Sequence, residues 1–324
     1  MILASLLHYL SAVITIILGS LGGGIAQGIA GLNSISAMQR QPMSNDDASR
    51  AMIVGLALIE SGVIIALVTT LVMLVGAHGV SVLGVSFAEL GIALAVGCAA
   101  ISISIASSQV VRACTHAISR QPLFASKIFT FMLLTQSIIE APIIFAFIVG
   151  LIIRSSTTPD LTIANGLRLL SAGLVLAIGC IGPAIGQAIF ARAACTSIGL
   201  NKNAYSKIFP FTLISEAVIE TPVIFCLLFS FIILFTNFPG GDANLTMPCV
   251  MLFASVFCIC LGALGAAIAI GRISAVSCLQ IANNEAAYGT ILRTNLLTIA
   301  FIESTLIYSL ITSLLLVTKI PGTL

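Results

Sequence analysis

Four glutamates hold the chemistry available to this chain. They sit in matching apolar surroundings: "ALIESGVI" around Glu60, "SIIEAPII" around Glu140, "AVIETPVI" around Glu220 and "AFIESTLI" around Glu303. Their spacings are 80, 80 and 83 residues, and four of the eleven acidic residues thus occupy one repeated place. An ionised carboxylate in hydrocarbon costs at least about 2.5 kcal/mol. Taking up a proton or binding a cation removes that charge, so a recurring acid in such a setting reads as an ion carrier. For any single glutamate the alternative is a structural hydrogen-bonding role; fourfold recurrence argues against it.

The elements that must position these acids are membrane helices. Hydrophobic residues make up 59% of the 324 and charged residues 7%, against roughly 25% charged in a soluble domain. One crossing needs about 20 apolar residues, which leaves room for eight spans. The net charge of +2 indicates no partner, and the absence of basic or aromatic-basic tracts speaks against nucleic acid. The N-terminus lacks a charged leader region and runs into a glycine-rich stretch that recurs later, so it reads as a retained first span. The nine cysteines are odd in number and mostly lie in apolar segments. Cys258 and Cys260, two apart on a helix, point to nearly opposite faces and cannot form a metal pair.

The expected fold is an all-α membrane protein of eight transmembrane helices in four tandem hairpins, spanning 1–79, 80–159, 160–240 and 241–324. The first helix of each hairpin is built on small residues: "GSLGGGIAQGIAG", "GCAAISISIASS", "GCIGPAIGQA" and "GALGAAIAIG". Pairs four apart, such as Gly19/Gly23, Gly24/Gly28 and Gly182/Gly186, form smooth stripes that let helices approach closely in lipid. A tightly wound inner layer follows. Polar loops close the hairpins near 39–50, 114–127, 194–207 and 278–293 and hold or flank ten of the thirteen Lys and Arg residues. The positive-inside rule puts all four loops on the cytoplasmic (or matrix) side of an energy-transducing membrane, with both termini opposite.

The chain resembles the c subunit, or proteolipid, of rotary ATP synthases: a hairpin with a glycine-rich inner helix, an Arg-Gln-Pro loop and one outer-helix carboxylate. The loop motif stands at Arg40-Gln41-Pro42 and Arg120-Gln121-Pro122, and "GGGIAQG" and "GPAIGQA" are similar to the inner-helix motif. The likeness covers nearly the whole chain, four times, and favours the F-type. Its departure is the fusion of units that F-type members usually make separately, and loops three and four lose the Arg-Gln-Pro. The resemblance implies assembly with copies of itself into a c-ring. It also implies a stator a subunit that offers an arginine, and central stalk subunits at the loops. The loaded, neutral glutamate faces lipid as the ring turns; catalysis belongs to partners, and no P-loop motif occurs here. The nearest alternative is a V-type or archaeal-type proteolipid. Further away lie an eight-span secondary transporter, which would show broken helices or inverted repeats, and a purely structural oligomer.

The same resemblance supplies a test of cargo, proton against sodium. In sodium-binding members an inner-helix Gln and a Ser just after the Glu of a neighbouring hairpin complete the site. Gln27 and Gln187 lie 33 residues before Glu60 and Glu220, whereas repeats two and four hold Ser107 and Ile270 there. The residue after each Glu is Ser61, Ala141, Thr221 or Ser304, and Tyr308 adds a hydroxyl. One complete sodium site per chain is expected, at Gln187/Glu220/Ser304 or Gln27/Glu60/Ser304; the mixture as a whole favours protons. No cofactor is expected. Glu216 lies one turn before Glu220 on the same face, with Gln136 in the equivalent place of repeat two. It reads either as a carboxylate coupled to Glu220 or as a neutral donor that orients it. Pro142 and Pro222 should kink their helices. Glu89, Asp46, Asp47, Asp160, Asp242 and Glu285 read as solvated or capping residues.

Overall fold

The computed structural model describes residues 2–75, 82–236 and 246–320. All regular structure among them is helical, and eight helical spans are long and apolar enough to cross a membrane. Four inner spans, α1 (Ile2–Arg40), α3 (Leu83–Arg120), α6–α7 (Ile163–Gly179 and Ile181–Leu200) and α9 (Thr246–Asn283), pack side by side in chain order. Four outer spans lie against them: α2 (Asn45–Val75), α4–α5 (Ala125–Ile139 and Ala141–Ser155), α8 (Tyr205–Phe235) and α10 (Tyr288–Thr318). The ends of this arc do not meet, since α1 does not pack on α9. The third inner span is therefore mostly buried, whereas the first and last spans are mostly exposed.

Glycine sets the spacing of the inner row, and it does so in two directions. A Cβ at Gly182 would lie 2.5 Å from Leu264 Cα, and one at Gly22 would strike Ile101 Cα, so these glycines bring neighbouring inner backbones together. Gly91 with Gly173, and Gly84 with Gly166, do the same for α3 and α6. Gly19 and Gly23 instead face Ala66 and Val63 of the hairpin's own outer helix. Their stripe thus seats α2 rather than a second inner helix. Gly24 and Gly28 meet nothing, because they lie on the open edge of repeat one.

The hairpin loops are shorter than the polar stretches suggest. The inner helices run to Arg120, Leu200 and Asn283, and a single 3-10 turn then starts the next helix. Repeats one and two build that turn on Pro42 and Pro122, whose fixed φ suits a first helical position. Repeats three and four use Asn201 and Asn284, whose side chains accept from Asn203 N (3.0 Å) and Ala286 N (3.2 Å). The lost Arg-Gln-Pro motif is replaced by a different cap on the same turn.

Proline does not act uniformly. Pro142 separates α4 from α5 at Glu140, where the bond from Ile143 N to Glu140 O is of the shorter i+3 kind. Pro183 stands just after the break between α6 and α7 at Cys180. Pro222, in the matching place of repeat three, stands inside α8, which continues through it without a break. An added methyl at Gly182 must push two backbones apart, whereas the site beside Gly28 is open. Gly182→Ala should lower the stability of the isolated chain by roughly 1–3 kcal/mol, and Gly28→Ala should leave it unchanged, as read by thermal unfolding in detergent.

Candidate ion-carrying site

Each of the four glutamates lies at the midpoint of its outer span. Glu60, Glu220 and Glu303 sit centrally in the 31-residue helices α2, α8 and α10, and Glu140 is the junction between the equal halves α4 and α5. That is about 22 Å from either end at 1.5 Å per residue, the depth at which an ionised carboxylate is most costly. Glu140, Glu220 and Glu303 are half-buried between neighbouring outer helices, while Glu60 is exposed on the open edge.

The boundaries between repeats bring specific groups to these acids. Thr221 Oγ1 of repeat three lies 2.9 Å from Glu303 Oε1 of repeat four. Ser61 of repeat one likewise approaches the Glu140 carboxyl of repeat two, where Oε1 is buried without a hydrogen bond. The residue after a glutamate therefore serves the next repeat in the chain. Ala141 occupies this place ahead of Glu220 and offers no hydroxyl. Ser304 bonds its own helix at Phe301 O (2.7 Å), and the bond made across the boundary of repeats three and four is that of Thr221. Gln187, Glu220 and Ser304 are thus not brought together by hydrogen bonds within the chain. Tyr308 is exposed on the same edge as Ser304, and Gln27 is half-buried.

Two buried polar positions flank the site. Gln136 donates from Nε2 to Gly55 O of the preceding outer helix at 3.4 Å. Glu216, in the matching place of repeat three, is fully buried, and neither carboxylate oxygen has a hydrogen-bond partner. Gln187 and the Ser107 hydroxyl are likewise buried without partners. A buried polar group without a partner is costly there. Arg40, Gln41, Pro42, Arg120, Gln121 and Pro122 all lie at the loop ends; Gln121 Nε2 reaches Gly199 O at 3.5 Å.

Glu89 is not solvated as expected. It is fully buried, its Oε2 is 2.7 Å from His8 Nδ1, and Arg154 lies 3.6 Å from Oε1. Helix α1 supplies the His and α3 the Glu, so the pair ties repeat one to repeat two. Glu285 accepts a bond from Asn201 Nδ2 (2.8 Å), Asp46, Asp47 and Asp160 are exposed, and Asp242 lies outside the described residues. The repeat itself held a signal for the His8–Glu89 pair. Neighbouring helices meet at an offset of 81 residues, as in Ser34–Thr115, Cys114–Cys195 and Gly55–Gln136, and His8 carried forward by 81 is Glu89.

A family model for the C subunit of ATP synthase matches residues 10–73, 90–153, 170–233 and 253–316. The chain belongs to this family. Four fused copies of the family unit make up most of its length. Among curated relatives it is similar to the ATP synthase c subunit of Dehalococcoides mccartyi, 38% identical over 72 residues, or 22% of this chain and 95% of the relative. The c subunit of Geotalea daltonii is 42% identical over 78 residues, covering 24% and 85%. A c subunit of Pelobacter propionicus is 40% identical over 76 residues, covering 24% and 82%. Each relative is thus about one repeat long. Replacing His8 with Leu leaves Glu89 without its closest partner, which should cost about 3–5 kcal/mol. Thermal unfolding of the H8L chain in detergent measures this, and the double variant H8L/E89L should recover most of the loss.

Proposed function

We propose that this chain is a fused rotor subunit of a rotary ATP synthase, which carries protons on Glu60, Glu140, Glu220 and Glu303. The family is that of the non-catalytic, ion-handling subunit, and an integral membrane location fits the eight apolar spans. The observation that carries the reading is the mid-span placement of all four acids, three of them half-buried between outer helices and Glu60 exposed on the open edge. There a protonated carboxyl can face lipid, and an ionised one needs a fixed positive partner. A stator arginine would supply that partner, and one charge moved through the membrane potential supplies about 2.3 kcal/mol per 100 mV. That exceeds thermal energy several times and can bias the direction of turning.

The open arc supports closure with further copies. Gly22 packs on Ile101 and Gly182 on Leu264, always one repeat onward, whereas Gly265 has nothing beside it. Continuing the pattern sets Leu21 of the adjacent copy, half-exposed here, against Gly265. Ring sites then come in multiples of four, and the same continuation sets Ser304 against Glu60 of the adjacent copy. That boundary alone would combine a Gln (Gln27), a Glu and a hydroxyl. The others pair Glu140 with Ser61 and Ser107, Glu220 with Ala141 and Gln187, and Glu303 with Thr221 and Ile270. So uneven a ligand set suits protons, which need one oxygen, better than sodium, which needs several.

Thr221 Oγ1 lies 2.8 Å from its own helix carbonyl at Val218 and 2.9 Å from Glu303 Oε1. Both acceptors lie within reach of the one hydroxyl proton, which a three-centre bond shares between them. Loops carrying Arg40 and Arg120 would meet the central stalk. In membranes holding the assembled synthase, replacing the four glutamates with Gln should abolish proton-driven ATP synthesis. The unmodified enzyme should run in sodium-free buffer and be indifferent to added sodium. Persistent synthesis in the fourfold variant would remove the rotor role, and a sodium requirement would reassign the cargo.

A further inference from the structure

The inner row carries two adjoining features on the face that bears no outer helix. The first is a groove of about 500 Å³ between α3 and α7. Its walls are isoleucines, Ile101 and Ile105 on one side and Ile181, Ile185 and Ile189 on the other, and Ala106 and Ala184 are among the small residues between them. The second is a pocket of about 270 Å³ toward the loop end, lined by α1, α3 and α7. It gathers Arg40, Arg112, His116, Arg120 and Arg192, and no carboxylate lines it. Along α7 the groove ends at Ile189 and the pocket begins at Arg192, about 4.5 Å further on. Along α3 the step from Ile105 to Arg112 is about 10 Å.

Four guanidiniums in one concavity repel one another, and among the described residues none of the four forms an ion pair. Such a cluster in a membrane protein is stabilised by a polyanion at the headgroup level; basic pockets between spans select anionic headgroups in this way. Arginine's planar fork suits the oxygens of a phosphate. The apolar groove leading from the pocket toward the membrane centre asks for a hydrocarbon chain attached to that phosphate. A water-soluble acidic segment would satisfy the arginines but leave the groove bare.

We propose that α1, α3 and α7 together bind an anionic phospholipid, its phosphate among Arg40, Arg112, His116, Arg120 and Arg192 and one acyl chain in the isoleucine-walled groove. In a closed ring this site faces the central opening, so each chain would hold lipid inside the rotor. The site rests on membrane embedding and on the packing of three inner helices. It does not depend on which ion the glutamates carry.

Native mass spectrometry of the full-length protein in detergent tests it, after exchange with equal amounts of phosphatidylglycerol and phosphatidylcholine bearing the same chains. The unmodified protein should retain phosphatidylglycerol about tenfold or more over phosphatidylcholine. The double variant Arg112→Gln/Arg192→Gln should lose that preference. Ala106→Phe/Ala184→Phe, which fills the groove and keeps the arginines, should weaken both lipids alike, and inorganic phosphate alone should displace neither. Equal retention of both lipids by the unmodified protein would overturn the proposal, with no variant needed. So would a preference that survives the double arginine variant, or displacement by inorganic phosphate. All four glutamates are intact throughout, so the outcome is separate from that of the rotor reading.

Discussion

Backbone contact between neighbouring inner helices is the constraint from which the rest of the structure follows. Lipid tails are as apolar as leucine, so helices in a membrane are held by close packing rather than by escape from water. Glycines at Gly22, Gly91, Gly173 and Gly182 remove the side chains that would keep the backbones apart. With the helices touching, the repeats have only one register open to them. That register shows as the 81-residue offset linking His8 to Glu89, Ser34 to Thr115, Cys114 to Cys195 and Asn201 to Ala282.

Register in turn decides which polar groups meet in the hydrocarbon. Placing Thr221 against Glu303 and Ser61 against Glu140 is a consequence of how the outer helices ride on the inner row. Ala141 holds the matching place ahead of Glu220, and Glu60 is exposed on an open edge. The four acids share depth and chemistry without sharing ligands. Fusion permits this, because each repeat can change its own residues while the others hold the shared backbone geometry.

Repeats that diverge in sequence reach the same form by different chemistry. A proline-led turn in the first two loops and an asparagine cap in the last two both satisfy the exposed ends of the incoming helix. The outer span of repeat two is broken at its glutamate, and that of repeat three, with a proline in the same place, is not. The buried His8–Glu89 hydrogen bond ties the first boundary near the far side, with Arg154 of the second repeat 3.6 Å from the same carboxylate. The other boundaries rely on small-residue packing and on single bonds such as Asn201 to Ala282.

The repeat, the eight spans, the hairpin pairing and the place of the four acids were legible in the sequence because each is written several times over. Periodic small residues and an 80-residue recurrence need no partner to be recognised. What the sequence could not assign was direction: whether Gly19 and Gly23 face an inner or an outer helix, and whether Thr221 serves its own repeat or the next. Glu89 looked like a residue near a turn, because its partners His8 and Arg154 lie in other helices. Those matters depend on the angle at which each helix is turned toward its neighbours. Only packing in three dimensions sets that angle, since a helix alone presents every face equally.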